Sequence, residues 1–208
     1  MTIYRLVPDS AVTAASSKAA EDGKHVSVLI EIKARFDEEY NIQEAKRLGK
    51  AGCFSIYGVS SVKTHAKVMM IVRREDERIT RYVHLSSGHY NEETAKGYAD
   101  ISLMTTDEVY ANDVSEFFNV ITGYSMPKPY ENLITAPIDI RKQLTNMICQ
   151  EARNAQQGLS CGIVIKVNAL DGWSYYWRVV QSLISWRAYS THCKGYLMSD
   201  ISKAWLKQ

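Results

Sequence analysis

Apolar positions change their period repeatedly along this chain, and the changes predict its elements. The run Ile3 to Val7 reads as a short strand that leaves Arg5 near its end. Pro8, Asp9 and Ser10 form a helix start, with Asp9 or Ser10 as N-cap. That helix runs to about Asp22, turns Val12, Ala15 and Ala19 inward, and stops at Gly23. From His25 to Ile32 every second residue is apolar, so Val26, Val28, Ile30 and Ile32 share a face. Leu29 on the other face implies cover on both sides, as in an α/β sheet. A helix from about Glu38 to Lys50 presents Ile42, Ala45 and Leu48 inward and ends at Gly52. Cys53 to Tyr57 is the next strand. The order β-α-β-α-β predicts an α/β protein, a mixed sheet flanked by helices.

Residues Val62 to Val72 alternate from Ala66 onward and predict a strand that carries His65 and Lys67. A charged tip, Arg73 to Arg78, leads into a return strand from Ile79 to Ser87, so the pair reads as a β-hairpin. Ser86-Ser87-Gly88-His89-Tyr90-Asn91 is a small-residue turn suited to close approach of a ligand. A short helix from Glu92 to Gly97 follows, then a strand from Tyr98 to Met104 that contains Asp100. Thr105, Thr106 and Asp107 cap a helix to about Thr122, striped by Tyr110, Val114, Phe117, Phe118 and Ile121. Pro127, Pro129 and Pro137 mark a connecting loop. A second long helix, from about Asp139 to Gln157, turns Ile140, Leu144, Met147, Ile148 and Ala155 inward, and Gly162 to Val167 is again a strand. Beyond Asp171 the aromatic spacing is irregular and no pattern holds.

Composition narrows the class. The 208 residues are 46% hydrophobic and 23% charged, as in a globular domain. No apolar run is long enough to span a bilayer, and the N-terminus lacks a signal-peptide core. Cys53, Cys149, Cys161 and Cys193 show no metal-type spacing, which argues against a zinc site or a disulfide framework and fits a cytoplasmic location. A net charge of +2 does not demand a nucleic acid. The charge is uneven, however. Residues 172–208 carry five basic residues against Asp200 alone, and all four tryptophans lie there.

The chemistry gathers at a few positions. In a strand, His65 and Lys67 project to one side, an imidazole beside an ammonium. An imidazole can attack phosphorus and an ammonium can neutralise phosphoryl oxygens. Arg5 and Arg35 both fall at carboxyl ends of strands, where ligands bind in open α/β sheets. With the glycine-containing turn they make a polyanion site in principle. Ordinary roles stand beside this one. Arg35 can pair with Asp37 or Glu38, Arg5 can be solvated, and His84 can be a satisfied core histidine.

A longer pattern favours the site. Tyr4-Arg5, the run from Glu31 through Ala34-Arg35-Phe36-Asp37-Glu38-Glu39 to Ile42, and Val62-Lys63-Thr64-His65-Ala66-Lys67 come first. Arg81-Tyr82-Val83-His84, the turn ending Tyr90-Asn91, and Tyr98-Ala99-Asp100 follow. In this order and spacing they resemble the bacterial polyphosphate kinase family. Phe117 to Tyr124 and Ala155 to Gly158 also match, so the resemblance covers about residues 1–171. It implies a phospholipase D-like half-module and reversible transfer of the terminal phosphate of ATP to inorganic polyphosphate through a phosphohistidine. By the resemblance His65 is the nucleophile and Lys67 stabilises the phosphoryl oxygens. Tyr98, Asn91 and His84 fall at nucleotide-side positions. Arg5 and Arg35 correspond to positions assigned to phosphate and Mg²⁺. An arginine cannot ligate a cation, so both are expected to grip phosphate beside the metal. Asp100 is expected to orient His65, by general His–carboxylate logic.

The implied small molecules are ATP, ADP and Mg²⁺. The implied partners are polyphosphate and the missing remainder of a polyphosphate kinase chain, in a homo-oligomer, without nucleic acid and compatible with peripheral membrane association. The family usually carries Asn where this chain has His89. Residues 1–135 are expected to form the first catalytic domain and 136–171 the start of a second. Residues 172–208 read as an aberrant tail, frameshifted or read-through, where the family would continue into a half with a second histidine. The fragment is therefore expected to be inactive alone. Two other classes remain open: a phospholipase D-like phosphodiesterase or nuclease, and a non-catalytic polyanion-binding fragment.

Overall fold

A computed structural model describes residues 1–7, 10–32, 38–58, 62–123, 125–126, 128–166 and 194–198. Arg35, and the whole of 172–208 except 194–198, lie outside the described residues. The chain divides into two units, Met1–Leu133 and Ile134–Gln208.

The first unit is α/β, with helices against its sheets. Strands β1 (Thr2–Ile3), β2 (Ser27–Ile30) and β3 (Phe54–Tyr57) form a parallel sheet in that order. Helices α1 (Ala11–Glu21) and α2 (Glu38–Lys50) link them. Ile3, Val28, Ile30, Ala45, Leu48 and Cys53 form the core, and Leu29 on the opposite face is buried too, as its pattern predicts. Ser10 is the N-cap of α1. Gly52 ends α2 at φ +95°, a conformation few other residues accept.

Some faces differ from expectation. Ala15 is exposed, and α1 buries Thr13 and Ser17 instead. The polarity of Thr13 is satisfied locally: its hydroxyl donates to the Ser10 carbonyl and accepts from Arg47, whose guanidinium pairs with Glu44, whereas the buried Ser17 hydroxyl has no partner among the described residues. Ile42 is also exposed, because α2 turns Asn41 inward to reach the ends of β1 and β2.

Strands β4 (Lys67–Glu75), β5 (Arg78–Ser86) and β6 (Ser102–Thr105) form an antiparallel sheet in that order. The strands thus divide into a parallel and an antiparallel set. The predicted hairpin is present, with Glu75 opposite Arg78 at the charged tip. Two boundaries are corrected. Residues 62–66 are not strand, so His65 sits just before β4. Tyr98 and Asp100 precede β6, following helix α3 (Glu92–Gly97). Val68 and Val83 pack against Ala111 and Val114 of helix α4 (Glu108–Ile121), with Phe117 and Phe118 beside them. Asp107 caps α4 as expected, accepting from Val109 and Tyr110.

The second unit holds helix α5 (Ile140–Gln156) and two parallel strands, β7 (Gly162–Lys166) and β8 (Lys194–Met198). On α5, Ile148 and Ala155 are buried as expected, whereas Ile140, Leu144 and Met147 are exposed. Cys53 and Cys149 are free thiols, but Cys161 is disulfide-bonded. One bridged cysteine beside two free thiols is not a disulfide framework, though the spacing in sequence did not point to the bridge. Among the described residues no helix is long and apolar enough to cross a membrane.

Candidate active site

Chain segments from the ends of both sheets meet beside β1 and β2. The first is Tyr4-Arg5, continuing β1. Buried Asn41 fixes it by donating from one amide nitrogen to the carbonyls of Tyr4 and Glu31, both at 2.9 Å. The second is Thr64 to Val68. The Thr64 N–H donates to the buried Glu31 carboxylate at 2.8 Å. The Thr2 hydroxyl donates to the Ala66 carbonyl at 2.7 Å and accepts from the Val68 N–H at 3.0 Å. His65 and Lys67 therefore ride on backbone tied to β1 and to the end of β2 in the parallel sheet. The third segment is the turn after β5. There the Gly88 N–H donates to Ser86 Oγ at 3.0 Å. A Cβ on Gly88 would lie 2.6 Å from Asp100 Oδ2, so only glycine lets the turn and Asp100 approach this closely.

These segments assemble a compact cluster. Lys67 Nζ lies 2.9 Å from His65 Nδ1 and 3.3 Å from Nε2. An ammonium can only donate, so the imidazole nitrogen that pairs with it offers a lone pair. The rings of Tyr4 and His89 stack at 5.3 Å and 24°. His65 stands edge-on to both, 4.5 Å from Tyr4 and 5.0 Å from His89. The Arg5 guanidinium carbon is 6.0 Å from the Tyr4 ring centroid.

The electrostatics follow from this crowding. Burial, then the charges of Lys67 and Arg5, hold the His65 pKa below its ordinary 6.5. Burial lowers the Lys67 pKa to about 8, against the opposing pull of Asp100. His89 is lowered to about 4 by burial, then by Lys67, His65 and Arg5, with Asp100 opposing. Both imidazoles are thus neutral at neutral pH, and an anion entering here would relieve repulsion among the cations.

The predicted site residues do not all converge. Arg5, His65, Lys67 and Asp100 do, and Arg35 lies outside the described residues. Asp100 does not hydrogen-bond His65 as expected. Instead the Ser87 hydroxyl donates to its Oδ1 at 2.8 Å and holds the carboxylate against Gly88. Asn91 is buried and caps α3, accepting from Glu93 and Thr94. His84 Nδ1 meets the Tyr90 hydroxyl at 2.8 Å. It lines an open groove of about 440 Å³ with Met69, Ile71, Tyr82 and Met104. Tyr98 is 55% exposed at the end of α3. Sequence reasoning missed Thr2, Tyr4, Glu31 and Asn41 as supports of the site. It noted His89 only as a departure from a family pattern.

Mg²⁺ was the implied metal. The groups around His65 are chiefly donors, namely Lys67, Arg5 and the imidazoles, with Asp100 the carboxylate beside them. Among the described residues no group of three or more His, Cys, Asp or Glu is placed to hold a metal ion. This donor set fits phosphate oxygens and does not fit a bare Mg²⁺ ion.

Residues 1–127 match the family model described as polyphosphate kinase C-terminal domain 1. The chain is 46% identical over 168 residues to the polyphosphate kinase of Rhodopirellula baltica, covering 81% of this chain and 20% of that protein. It is equally 46% identical over 169 residues to that of Halalkalibacterium halodurans, covering 81% and 24%. Its fold resembles the crystal structure of the polyphosphate kinase from Porphyromonas gingivalis, with a TM-score of 0.78 and 30% identity. That match covers 95% of this chain and 32% of the other. The chain thus spans about a quarter or less of the length of the curated relatives it matches.

Proposed function

The chain belongs to the polyphosphate kinase family, and from that premise we propose that the Met1–Leu133 unit carries a phosphoryl-accepting site with His65 as nucleophile. The observation that carries this reading is the Lys67 ammonium 2.9 Å from a neutral imidazole. A nucleophile needs its lone pair, and a phosphoryl group needs nearby positive charge; the neutral ring supplies the first once entering phosphoryl oxygens draw the Lys67 ammonium off its nitrogen, and Lys67 supplies the second.

In the proposed reaction an unprotonated nitrogen of His65 attacks the terminal phosphorus of ATP. A P–N bond forms as the bridging P–O bond breaks, and ADP leaves with that electron pair. A terminal oxygen of polyphosphate then attacks the phosphohistidine, the P–N bond breaks, and the polymer is one phosphate longer. Lys67 and Arg5 offset charge on the transferred oxygens throughout. Asp100 acts on Lys67 electrostatically, holding its ammonium charge against burial. Tyr98, Asn91 and His84 are proposed on the nucleotide side, Asn91 by shaping the turn and Tyr98 by its exposed ring. Arg35 is proposed beside Arg5 on the phosphates. Mg²⁺ would arrive on the nucleotide and neutralise its phosphates; no step here is derived through it.

A second reading is supported by the cationic cluster of Lys67 and Arg5 around His65 and His89: a unit that binds polyphosphate without transferring phosphate. Both are tested by incubating the chain with terminally labelled ATP and Mg²⁺. Acid-labile, base-stable label that disappears in His65→Ala supports transfer. Label that persists in His65→Ala refutes the nucleophile. Salt-dependent polyphosphate binding without label selects the second reading.

A further inference from the structure

One imidazole in the cluster has no part in the reaction above. His89 lies in the turn after β5, its ring stacked on Tyr4 and 5.0 Å from His65. Its Nδ1 is buried and has no hydrogen-bond partner among the described residues. A buried polar atom left without a partner costs free energy, so such an atom points to a ligand that completes it. The groups facing it are Tyr4 and Arg5 after β1, His65 and Lys67 at the start of β4, and Asp100 before β6.

We propose that His89 is a second imidazole of the anion site, and that its Nδ1–H donates to an oxygen of the phosphoryl group held at His65. The ligand class is a tetrahedral oxyanion, and the inference rests on the reading of His65 as the phosphoryl acceptor. The chemistry suits the place. Lys67 and Arg5 already crowd cationic charge here, and a third cation would add repulsion whenever the site is empty. A neutral imidazole adds a donor without adding charge. Its flat ring also stacks on Tyr4, which fixes the direction of that donor. An oxyanion only accepts, so the bound state selects the tautomer with the proton on Nδ1. His65 must keep a free lone pair to react, whereas His89 must carry its proton on the nitrogen facing the anion. The two adjacent imidazoles therefore divide the work, one as nucleophile and one as donor.

The test uses the 208-residue chain with ¹⁵N-labelled histidines and sulfate as probe, a tetrahedral dianion that does not titrate near neutral pH. As sulfate saturates the site, the His89 Nδ1 resonance moves to the protonated type while His89 stays neutral. His89→Phe keeps a ring on Tyr4 but has no donor, and it weakens sulfate binding by about tenfold to a hundredfold. His89→Asn restores an N–H donor and recovers most of that loss. If sulfate shifts the His65 ring nitrogens while His89 Nδ1 stays unmoved, His89 is not a donor and the phosphoryl-site reading survives without it. If neither sulfate nor tripolyphosphate shifts His65 or His89, the phosphoryl-site reading itself fails and takes this inference with it. The ring-nitrogen shift is read on the unmodified chain, so a variant that misfolds does not remove the test.

Discussion

Thr2→Val probes the strut that joins the two sheets of the first unit. The Thr2 hydroxyl is buried, donates to the Ala66 carbonyl and accepts from the Val68 N–H. Valine keeps the shape and removes both bonds. The Val68 N–H is then a buried orphan donor, at a cost of about 2 kcal/mol. The Ala66 carbonyl adds about 1 kcal/mol, the low end of the range, since carbonyls tolerate loss of a partner better. The sum is about 3 kcal/mol. For the Met1–Leu133 unit, an unfolding entropy of about 2.1 cal/mol/K per residue converts 1 kcal/mol into about 3.6 °C. Thr2→Val is therefore expected to lower Tm by about 11 °C. Thr2→Ser keeps both bonds, loses one methyl, and costs about 1 kcal/mol, or about 4 °C. Scanning calorimetry of the parent and both variants measures the difference. Equal midpoints for the valine and serine variants would refute the strut.

The remaining expectations concern charge and capping. Burial lowers the Lys67 pKa to about 8, so between there and 10.5 the unfolded chain holds a proton that the folded chain has released. Stability from this group therefore rises with pH across that window, and the penalty is full below it. Lys67→Met should thus be more stable than the parent toward urea below about pH 8, lose that advantage by about 10.5, and bind sulfate poorly. Burial pushes the Asp113 carboxyl up, but the N–H groups of Glu131, Asn132 and Leu133 outweigh it and hold its pKa below 3.8. Its contribution is present above that value and lost as pH falls through the folded pKa. Asp113→Ala should cost about 3 kcal/mol at neutral pH in urea unfolding, and a loss under about 1 kcal/mol would contradict the three-bond account. Asn91→Ala removes both N-cap hydrogen bonds of α3 and should cost about 1 kcal/mol, with faster amide exchange at Glu93 and Thr94; unchanged exchange there would argue against the cap.

Local signals were legible where local physics decides. The hairpin, the Asp107 cap and the limits of α2 follow from period, turn chemistry and capping residues. His65 and Lys67 were visible as a neighbouring pair, and their contact is tighter than a shared strand face implies. The strand itself was misplaced because residues 62–66 bond to the side chains of Glu31 and Thr2, and no period records a side-chain partner so distant in sequence. Asn41 reads as an ordinary helix polar residue until its amide is seen bridging the ends of β1 and β2. Ala15 and Ile42 fit an apolar stripe, yet the helices rotate to bury Thr13 and Asn41, whose hydrogen bonds compensate for their polarity. His89 gave no sign of meeting Tyr4, since stacking across the fold leaves no pattern in either segment.

The Thr2 hydroxyl bond to Ala66 spans 64 residues, and this bears on the order of folding. Closing a loop of that length costs about 3.7 kcal/mol in the chain-length term alone. The β4–β5 hairpin closes through a short turn and forms on a scale of about microseconds. The hairpin can therefore exist well before His65 and Lys67 meet Tyr4, Arg5 and His89. A partly folded chain that holds only the hairpin has no anion site. If the proposed site binds oxyanions, they stabilise the finished fold and nothing before it, slowing unfolding while leaving the early folding steps untouched.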